Sequence, residues 1–419
     1  MSKSLLYHAF GIQGYRYRRT DYEGGCVIFH LEQDRSTYRC PCCGSPEVFS
    51  RGSVQREFRH VPIGGKPVFL ALAIPRVSCR RCGIVRQVKV TFAAERRSYT
   101  RGFERYALSL LQSMTIRDVA RHLGVSWDVI KDLQKRHLKR RYGKPKLRNL
   151  KQIAIDEISI GKGHQYLTVV LDLESGRVVF IGDGKGADSL SPFWKRLHCS
   201  WAKIEAVAID MSPAYTQAVR ENLPQAVLVY DHFHIIKLFN DKLSDLRREL
   251  YREAKDQLQK DVLKGTRWLL LKNPDNLNKT RQEPRRLKEA LKLNESLAAA
   301  YYLKEDLRQL WEHPDKATAE LFLDMWIEDA EWSGIRMLQR FARTLQNHRA
   351  GILAWYDYPI STGPLEGTNN KIKTMKRQAY GYRDHDFFKL KIFAIHEAKY
   401  ALGTVPKQNP YFQDLSIIA

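Results

Sequence analysis

Nowhere in the 419 residues is there an apolar run long enough to cross a bilayer, and the opening Met-Ser-Lys-Ser-Leu-Leu-Tyr-His lacks the apolar core of a secretory signal. The expected location is therefore cytoplasmic, with no membrane partner. Acids are in short supply: 46 Asp and Glu stand against 70 Lys and Arg, a formal net charge of +24. The shortage is also local. Between Lys135 and Lys151 there is no acid, while Lys135, Arg136, Lys139, Arg140, Arg141, Lys144, Lys146, Arg148 and Lys151 follow in close order. Such a run either stays extended through self-repulsion or binds a polyanion, and nucleic acid is the expected partner. With 43% hydrophobic residues the chain has material for two or three folded cores, which excludes a disordered polyelectrolyte.

Cysteine is sparse too, seven in all, and four of the seven fall into two matched pairs: Cys40-Pro-Cys-Cys43-Gly and Cys79-Arg-Arg-Cys82-Gly. In a reducing compartment such pairs are metal ligands rather than disulfides. A Cys-x-x-Cys followed by Gly forms a knuckle that turns backbone amides toward thiolates, and four such sulfurs satisfy tetrahedral Zn²⁺. The strand-like runs Gln55–Ile63 and Pro67–Cys79, joined at Gly64-Gly65, make the region a zinc ribbon with a long hairpin. Cys42 is a bystander in this reading, and Cys26 and Cys199 are expected to be buried as small hydrophobes.

Helical periodicity follows from residue 100, and Thr115–Lys131 has the pattern of a helix-turn-helix. Ile116, Val119, Ala120 and Leu123 form one apolar face, Gly124 makes the turn, and Ser126 N-caps a second helix bearing Val129, Ile130 and Leu133. That arrangement turns Trp127, Asp128 and Lys131 toward a major groove. The basic run that follows supplies Lys135, Arg136, Arg140, Arg141, Lys144, Lys146 and Arg148 as further DNA contacts.

Three distant segments each deliver one acid. Strand-like Ile-Ala-Ile-Asp-Glu at 153–157 carries Asp156, Ala-Val-Ala-Ile-Asp at 206–210 ends in Asp210, and the helical stretch after Gly363-Pro364 carries Glu366. Glu157 competes with Asp156, but strand alternation sends the two to opposite faces. Phosphodiester chemistry needs charge neutralised at both the attacking and the leaving oxygen, and two Mg²⁺ (or Mn²⁺) ions on carboxylate ligands do this. Asn370, Lys373 and Arg377 share a helix face with Glu366, which suits a phosphate backbone beside a metal. Strands at Gln152–Asp156, Tyr166–Leu173, Arg177–Gly182, Ile204–Asp210 and Ala226–Tyr230 give the order of a ribonuclease-H-like sheet. Asp231-His-Phe-His234 follows the last of them, either orienting a ligand or DNA end or serving as a local helix cap. From 235 to 350 no strand is expected: the segment reads as an all-helical insertion, broken around Asn273–Pro284 and at Pro314, with Trp268, Trp311, Trp326 and Trp332 assigned to its core ahead of the alternative, exposed tryptophans that hold DNA.

Zinc ribbon, helix-turn-helix, Asp156-Glu157, Asp210 and Glu366-Gly-x-Asn-x-Lys-Ile-Lys, in that order, resemble the ISL3 family of bacterial insertion-sequence transposases. The resemblance extends to Tyr230-Asp-His-Phe-His-Ile-Ile-Lys237, Arg267-Trp-Leu-Leu-Leu-Lys-Asn273 and Lys376-Arg-Gln-Ala-Tyr-Gly-Tyr-Arg383. It implies a DDE triad of Asp156, Asp210 and Glu366 on a ribonuclease-H-like fold interrupted by an α-helical insertion, dependence on Mg²⁺, and recognition of terminal inverted repeats. It also places a family Asp-x-x-His motif on Asp231 and His234. Thr362 departs from the family pattern, which has Asn before the Gly. The expected protein is multidomain α/β: zinc ribbon 1–98, helix-turn-helix with basic linker 99–150, catalytic part 151–238, helical insertion 239–350, and second catalytic part 351–419. It would cut and join double-stranded DNA as a homodimer or larger synaptic complex. The rival is a non-catalytic regulator derived from a transposase, which three intact acids disfavour; a ribonuclease-H-type nuclease would need no DNA-binding modules ahead of its catalytic domain.

Overall fold

The computed structural model describes residues 5–161 and 163–396; Lys162 and the segment 397–419, assigned above to the second catalytic part, lie outside the described residues. The chain divides into two compact units, one ending at Arg141 and the other running Tyr142–His396.

The first unit starts with one helical turn, α1 (Leu5–His8), and builds a five-stranded sheet from β1 (Tyr15–Glu23), β2 (Cys26–Gln33), β3 (Val48–Ile63), β4 (Lys66–Cys79) and β5 (Val85–Gln87). Strand order is β1-β2-β4-β3, with β5 on the last residues of β4. The long hairpin expected from the cysteine spacing is β3–β4, and its turn residues Gly64 and Gly65 both have positive φ, 54° and 80°. β2 runs parallel to β4, so Val27, Phe29 and Leu31 meet Val68, Leu70 and Leu72 in one core with Phe58, Ile74 and Phe92. Three helices follow: α2 (Arg101–Leu110), α3 (Ile116–Leu123) and α4 (Trp127–Tyr142). Thr100 and Thr115 cap α2 and α3, accepting from the amides of Phe103 and Asp118. Gly124 ends α3 in the left-handed region at φ 61°, and Ser126 Oγ accepts from Val129 N at 3.4 Å to start α4. Phe103, Val119, Leu123, Ile130 and Leu133 close the helical core. The buried Arg59 guanidinium reaches across from β3 to the Leu123 carbonyl at 2.8 Å.

In the second unit β6 (Gln152–Ser159), β7 (Tyr166–Asp172) and β8 (Val178–Asp183) form an antiparallel meander. After α5 (Ser191–His198) come β9 (Ala206–Ile209), α6 (Pro213–Asn222) and β10 (Val227–Tyr230), both strands parallel to β6. Sheet order is β10-β9-β6-β7-β8, the arrangement expected for a ribonuclease-H-like domain. The helical insertion is α7 (His232–Glu253), α8 (Gln257–Gly265), α9 (Glu283–Lys292), α10 (Glu295–Gln309), α11 (Lys316–Trp332) and α12 (Arg336–Leu353), with breaks where the prolines foretold them. Then α13 (Gly363–Gln378) and α14 (His385–Phe393) return to the sheet. One face of the sheet, through Ile153, Ile155, Val207, Ile209 and Tyr230, shares a continuous core with α5, α6 and the insertion. The other face, through Ala154, Ile158, Ala206, Ala208 and Val229, packs under α13 and α14 by way of Leu365, Ile372, Phe388 and Ile392.

Three expectations need correcting. Cys199 is exposed, because it caps α5 one residue beyond its last apolar turn; Cys26 is only part-buried beside the Gly24-Gly25 turn. Of the tryptophans assigned to the insertion core, Trp326 is buried and Trp311 packs against it, but Trp268 and Trp332 are 65% and 89% exposed. Trp332 falls on the outward stripe of α11, where no helix among the described residues covers it.

Gly182 in β8 sits under the segment that leads into α5. A Cβ there would lie 2.2 Å from the Ser189 carbonyl oxygen, which is backbone and cannot swing aside. Gly182→Ala is therefore expected to destabilise the second unit by about 3 kcal/mol, read as a lower chemical-denaturation midpoint. An unchanged midpoint would show that the Ser189 segment yields freely.

Candidate active site and thiol cluster

The paired ends of β3 and β4 bring the two knuckles together, Val48 standing opposite Cys79. Each knuckle is closed by a glycine at positive φ, Gly44 at 74° and Gly83 at 68°, whose amide returns to the first cysteine's carbonyl at 3.0 Å. Cys40 Sγ lies 3.5 Å from Cys82 Sγ, Cys43 Sγ lies 3.6 Å from Cys79 Sγ, and all four sulfurs fall within 4.8 Å of one another. A tetrahedron of Zn–S bonds about 2.3 Å long has sulfur–sulfur edges of about 3.8 Å, so the four thiols fit that ion. Backbone amides, that of Cys43 foremost, pull the Cys40 thiol down to about 6, while desolvation and the neighbouring sulfurs push Cys43 and Cys82 up. Cys42 lies outside this group of four and is exposed.

In the second unit, strand register aligns the acids. Ala154 pairs with Ala208 across β6 and β9, so two residues on, Asp156 comes level with Asp210. β10 pairs Tyr230 with Ile209, which brings Asp231 level as well. Alternation from Ala154, Ala208 and Val229 turns all three aspartates to the face covered by α13. Glu157 goes to the opposite face, where the Tyr215 hydroxyl donates to it at 3.4 Å. Asp156 Oδ1 accepts from the Glu157 amide at 2.7 Å, and its Oδ2 accepts from Asn369 Nδ2 of α13 at 2.8 Å. Glu366 stands one turn before Asn369 on the same helix and is exposed. Asp210 Oδ1 accepts from the Ser212 amide at the start of α6. Asp231, 2% exposed, caps α7 by accepting from Phe233 N and also accepts from the Thr362 hydroxyl at the start of α13. His234 Nε2 lies 3.9 Å from it.

Burial pushes the Asp156 carboxyl up to about 6, with the negative charges of Asp210 and Glu157 adding to the rise and the Glu157 amide and His234 opposing it. Among the described residues only the four cysteines gather three or more ligand atoms within 4.8 Å; the three acids are not drawn so close. A two-ion site spans more than that, since the ions stand about 3.5–4 Å apart with ligands on their outer sides.

Family comparisons place this arrangement. Residues 153–392 match the ISL3 family model described as "Transposase", 88–138 match the helix-turn-helix domain of transposase family ISL3, and 36–82 match the zinc-finger of transposase IS204/IS1001/IS1096/IS1165. The chain belongs to the ISL3 transposase family. Among relatives of this transposase, that of insertion sequence element IS1001 from Bordetella parapertussis is 34% identical, over 94% of this chain and 98% of its own. The transposase of IS1557 from Mycobacterium tuberculosis is 28% identical over 89% of each. Its helix-turn-helix is a DNA-binding domain, and among the described residues no helix is long and apolar enough to cross a membrane.

The transposase presents its candidate DNA contacts unevenly. Trp127 is exposed, with Lys131 Nζ 5.2 Å from the centre of its ring. Lys135 is part-buried, and Arg136 is held by Asp132 and the Tyr99 hydroxyl. Arg140, Arg141, Lys144, Lys146 and Arg148 are all exposed. Within the run α4 extends through Tyr142, and in the second unit Leu147 and Leu150 are buried and Arg196 donates to the Pro145 carbonyl at 2.9 Å. On α13, Asn370, Lys373 and Arg377 form an exposed stripe with Glu366; buried Leu365, Thr368 and Ile372 take the side turned to the sheet, and buried Asn369 stands between the two, next to Glu366.

Sequence reasoning missed Asn369 and Thr362 as site residues. The first was passed over because the i+4 and i+7 stripe drew attention to Asn370; yet i+3 shares the Glu366 face equally well. Thr362 stood only as a departure from the family pattern, and its partner Asp231 is 131 residues away.

The raised carboxyl has a consequence for stability. The folded chain binds the Asp156 proton more tightly than the unfolded chain, whose value is near 3.8. Stability is therefore lost as pH rises from about 4 to about 6, by up to about 3 kcal/mol. Asp156→Asn removes that loss, and Asn369 can turn its amide to meet the new one, since its Oδ1 is buried without a partner. The variant is expected to melt higher than wild type at pH 7.5 without added divalent cation, and equally near pH 4. A lower melting temperature at pH 7.5 would contradict the desolvation account.

Proposed function

We propose that this transposase binds the terminal inverted repeats of its own insertion sequence and cleaves and transfers strands with Asp156, Asp210 and Glu366 as a metal-holding triad. The observation that carries the reading is the common face: strand register turns Asp156 and Asp210 toward the helix that bears Glu366. The donor set is all oxygen, and the half-buried Asp156 beside Asp210 is a pair whose mutual repulsion a cation relieves, which fits Mg²⁺ or Mn²⁺. Bound there, two such ions would activate the attacking oxygen and neutralise the leaving one.

The chain's own groups do the rest. Asn369 holds Asp156 in place by its 2.8 Å hydrogen bond, and Asp231 ties the starts of α7 and α13 together through Phe233 N and Thr362. His234, 3.9 Å from Asp231, supports the site beside it. Asn370, Lys373 and Arg377 line the DNA backbone beside Glu366, while Trp127, Lys131, Lys135, Arg136, Arg140, Arg141, Lys144, Lys146 and Arg148 belong to end recognition. Zn²⁺ on Cys40, Cys43, Cys79 and Cys82 holds the ribbon. We divide the chain at 98, 150, 238 and 350 into ribbon, helix-turn-helix, catalytic part, insertion and second catalytic part, working in the cytoplasm as a homodimer or larger synaptic complex.

The test is a labelled duplex carrying the element's own end, incubated with the full chain and Mg²⁺. Cleavage at the end leaving a 3′-hydroxyl, followed by joining to target DNA, is the expected result. Specific binding with no cleavage in Mg²⁺ or Mn²⁺, even with paired ends, would favour the regulator.

A further inference from the structure

α11 is out of character with its chain. In a protein of net charge +24 it carries Glu320, Asp324, Glu328, Asp329 and Glu331 against a single Lys316. Its solvent face is also apolar: Leu321, Met325 and Trp332 are 65%, 58% and 89% exposed. At about 100° per residue these three lie on one stripe with Glu328. Isolated exposed apolar residues need no explanation, but a Leu, Met and Trp aligned on one helix have the composition of an interface core. Arg349 of α12 neutralises Glu320 and Asp324, but Glu328, Asp329 and Glu331 have no basic partner among the described residues, so the end of the helix that carries Trp332 repels phosphate and suits a basic protein surface better than DNA.

The next helix carries one. Arg336, Arg340 and Arg343 form a single exposed stripe on α12, and no acid pairs with any of them among the described residues. Only Ser333-Gly334-Ile335 separates the helices, so Trp332 and Arg336 flank one tight turn, and Arg349 locks the two helices together by bonding Glu320 and Asp324. Unpaired acids (Glu328 and Glu331) and unpaired arginines on one hairpin are what a two-fold axis uses. Each copy then offers these acids to the other's arginines, beside the apolar stripe.

We propose that the outer face of the α11–α12 hairpin is the surface by which two copies of this chain pair, with Leu321, Met325 and Trp332 at its centre. This rests on the reading that the transposase acts as an assembly of at least two copies, and it names where they meet.

The experiment is sedimentation of the full chain at low micromolar concentration, alone and on end DNA, for wild type, Met325→Glu, Trp332→Ala, Glu328→Arg, Arg340→Glu and the Glu328→Arg/Arg340→Glu double variant. Wild type is expected as a dimer. Met325→Glu and Trp332→Ala should weaken pairing by about tenfold or more, with end binding by single copies retained. Each charge reversal alone should weaken pairing and the double variant should recover it. Dimers undisturbed by Met325→Glu and Trp332→Ala would overturn this surface and leave the paired reading standing. Wild type that stays monomeric even on paired ends would overturn both. Loss of DNA binding by Arg340→Glu with the dimer intact would make the hairpin a DNA face and overturn the proposal.

Discussion

Asp210→Asn is expected to reduce end cleavage by about 10³-fold or more while leaving binding to the same DNA unchanged. The reason is local. Asp210 sits just beyond β9, level with Asp156 across the sheet, its Oδ1 engaged by the Ser212 amide and its other oxygen free of any hydrogen bond among the described residues. An amide keeps the shape and can still accept from Ser212 N, so the fold should hold. It forfeits the negative charge that a divalent cation requires, and a loss of about 4 kcal/mol at the transition state corresponds to about 10³ in rate. Glu366→Gln should behave alike, because it too offers only a carboxylate to the site. Glu157→Gln should retain most activity, since its side chain lies on the opposite face of the sheet against Tyr215. If Glu157→Gln were the inactive variant and Asp210→Asn the active one, the register of β6 against β9 would be the wrong guide to the site.

Cys79→Ser carries the second large effect. Cys79 is buried at the end of β4, and its sulfur belongs to a cluster with no redundancy. A structural zinc contributes on the order of 10 kcal/mol to folding a small domain, and losing one of four ligands forfeits much of that. Zinc content should fall from one ion per chain to near zero, with the ends of β3, β4 and β5 loosened and affinity for the element's end reduced at least about tenfold. Cys42→Ser should retain zinc fully, because that thiol lies outside the group of four sulfurs. A Cys79→Ser protein that keeps its zinc and its end affinity would contradict the four-thiol assignment.

Much of this architecture was legible because the chain writes it in local patterns. Two Cys-x-x-Cys-Gly knuckles, a helix-turn-helix with its caps, and apolar runs ending in acids are each short and stereochemically demanding. The hairpin length followed from the distance between knuckles, and the sheet order from the sequence of strands and helices. What stayed hidden depends on contacts between distant segments. The parallel pairing of β2 with β4 leaves no mark in either strand, since both simply alternate. Asn369 bonding Asp156 and Thr362 bonding Asp231 join residues more than 130 positions apart. Trp332 failed for a different reason: an amphipathic helix with two apolar stripes does not say which of them is covered, and hydrophobicity alone assigned both to the core.

The central claim is that Asp210 holds a divalent cation at the point of strand cleavage. Its most direct measurement is a metal switch: cleavage of labelled end DNA by Asp210→Cys in Mg²⁺ and then in Mn²⁺, beside wild type in both. A thiolate is a poor ligand for Mg²⁺ and an acceptable one for Mn²⁺. The expected result is cleavage lost in Mg²⁺ and restored at least about tenfold in Mn²⁺, with wild type active in both. Cleavage by Asp210→Cys in Mg²⁺ at the wild-type rate would show that this carboxylate holds no catalytic metal.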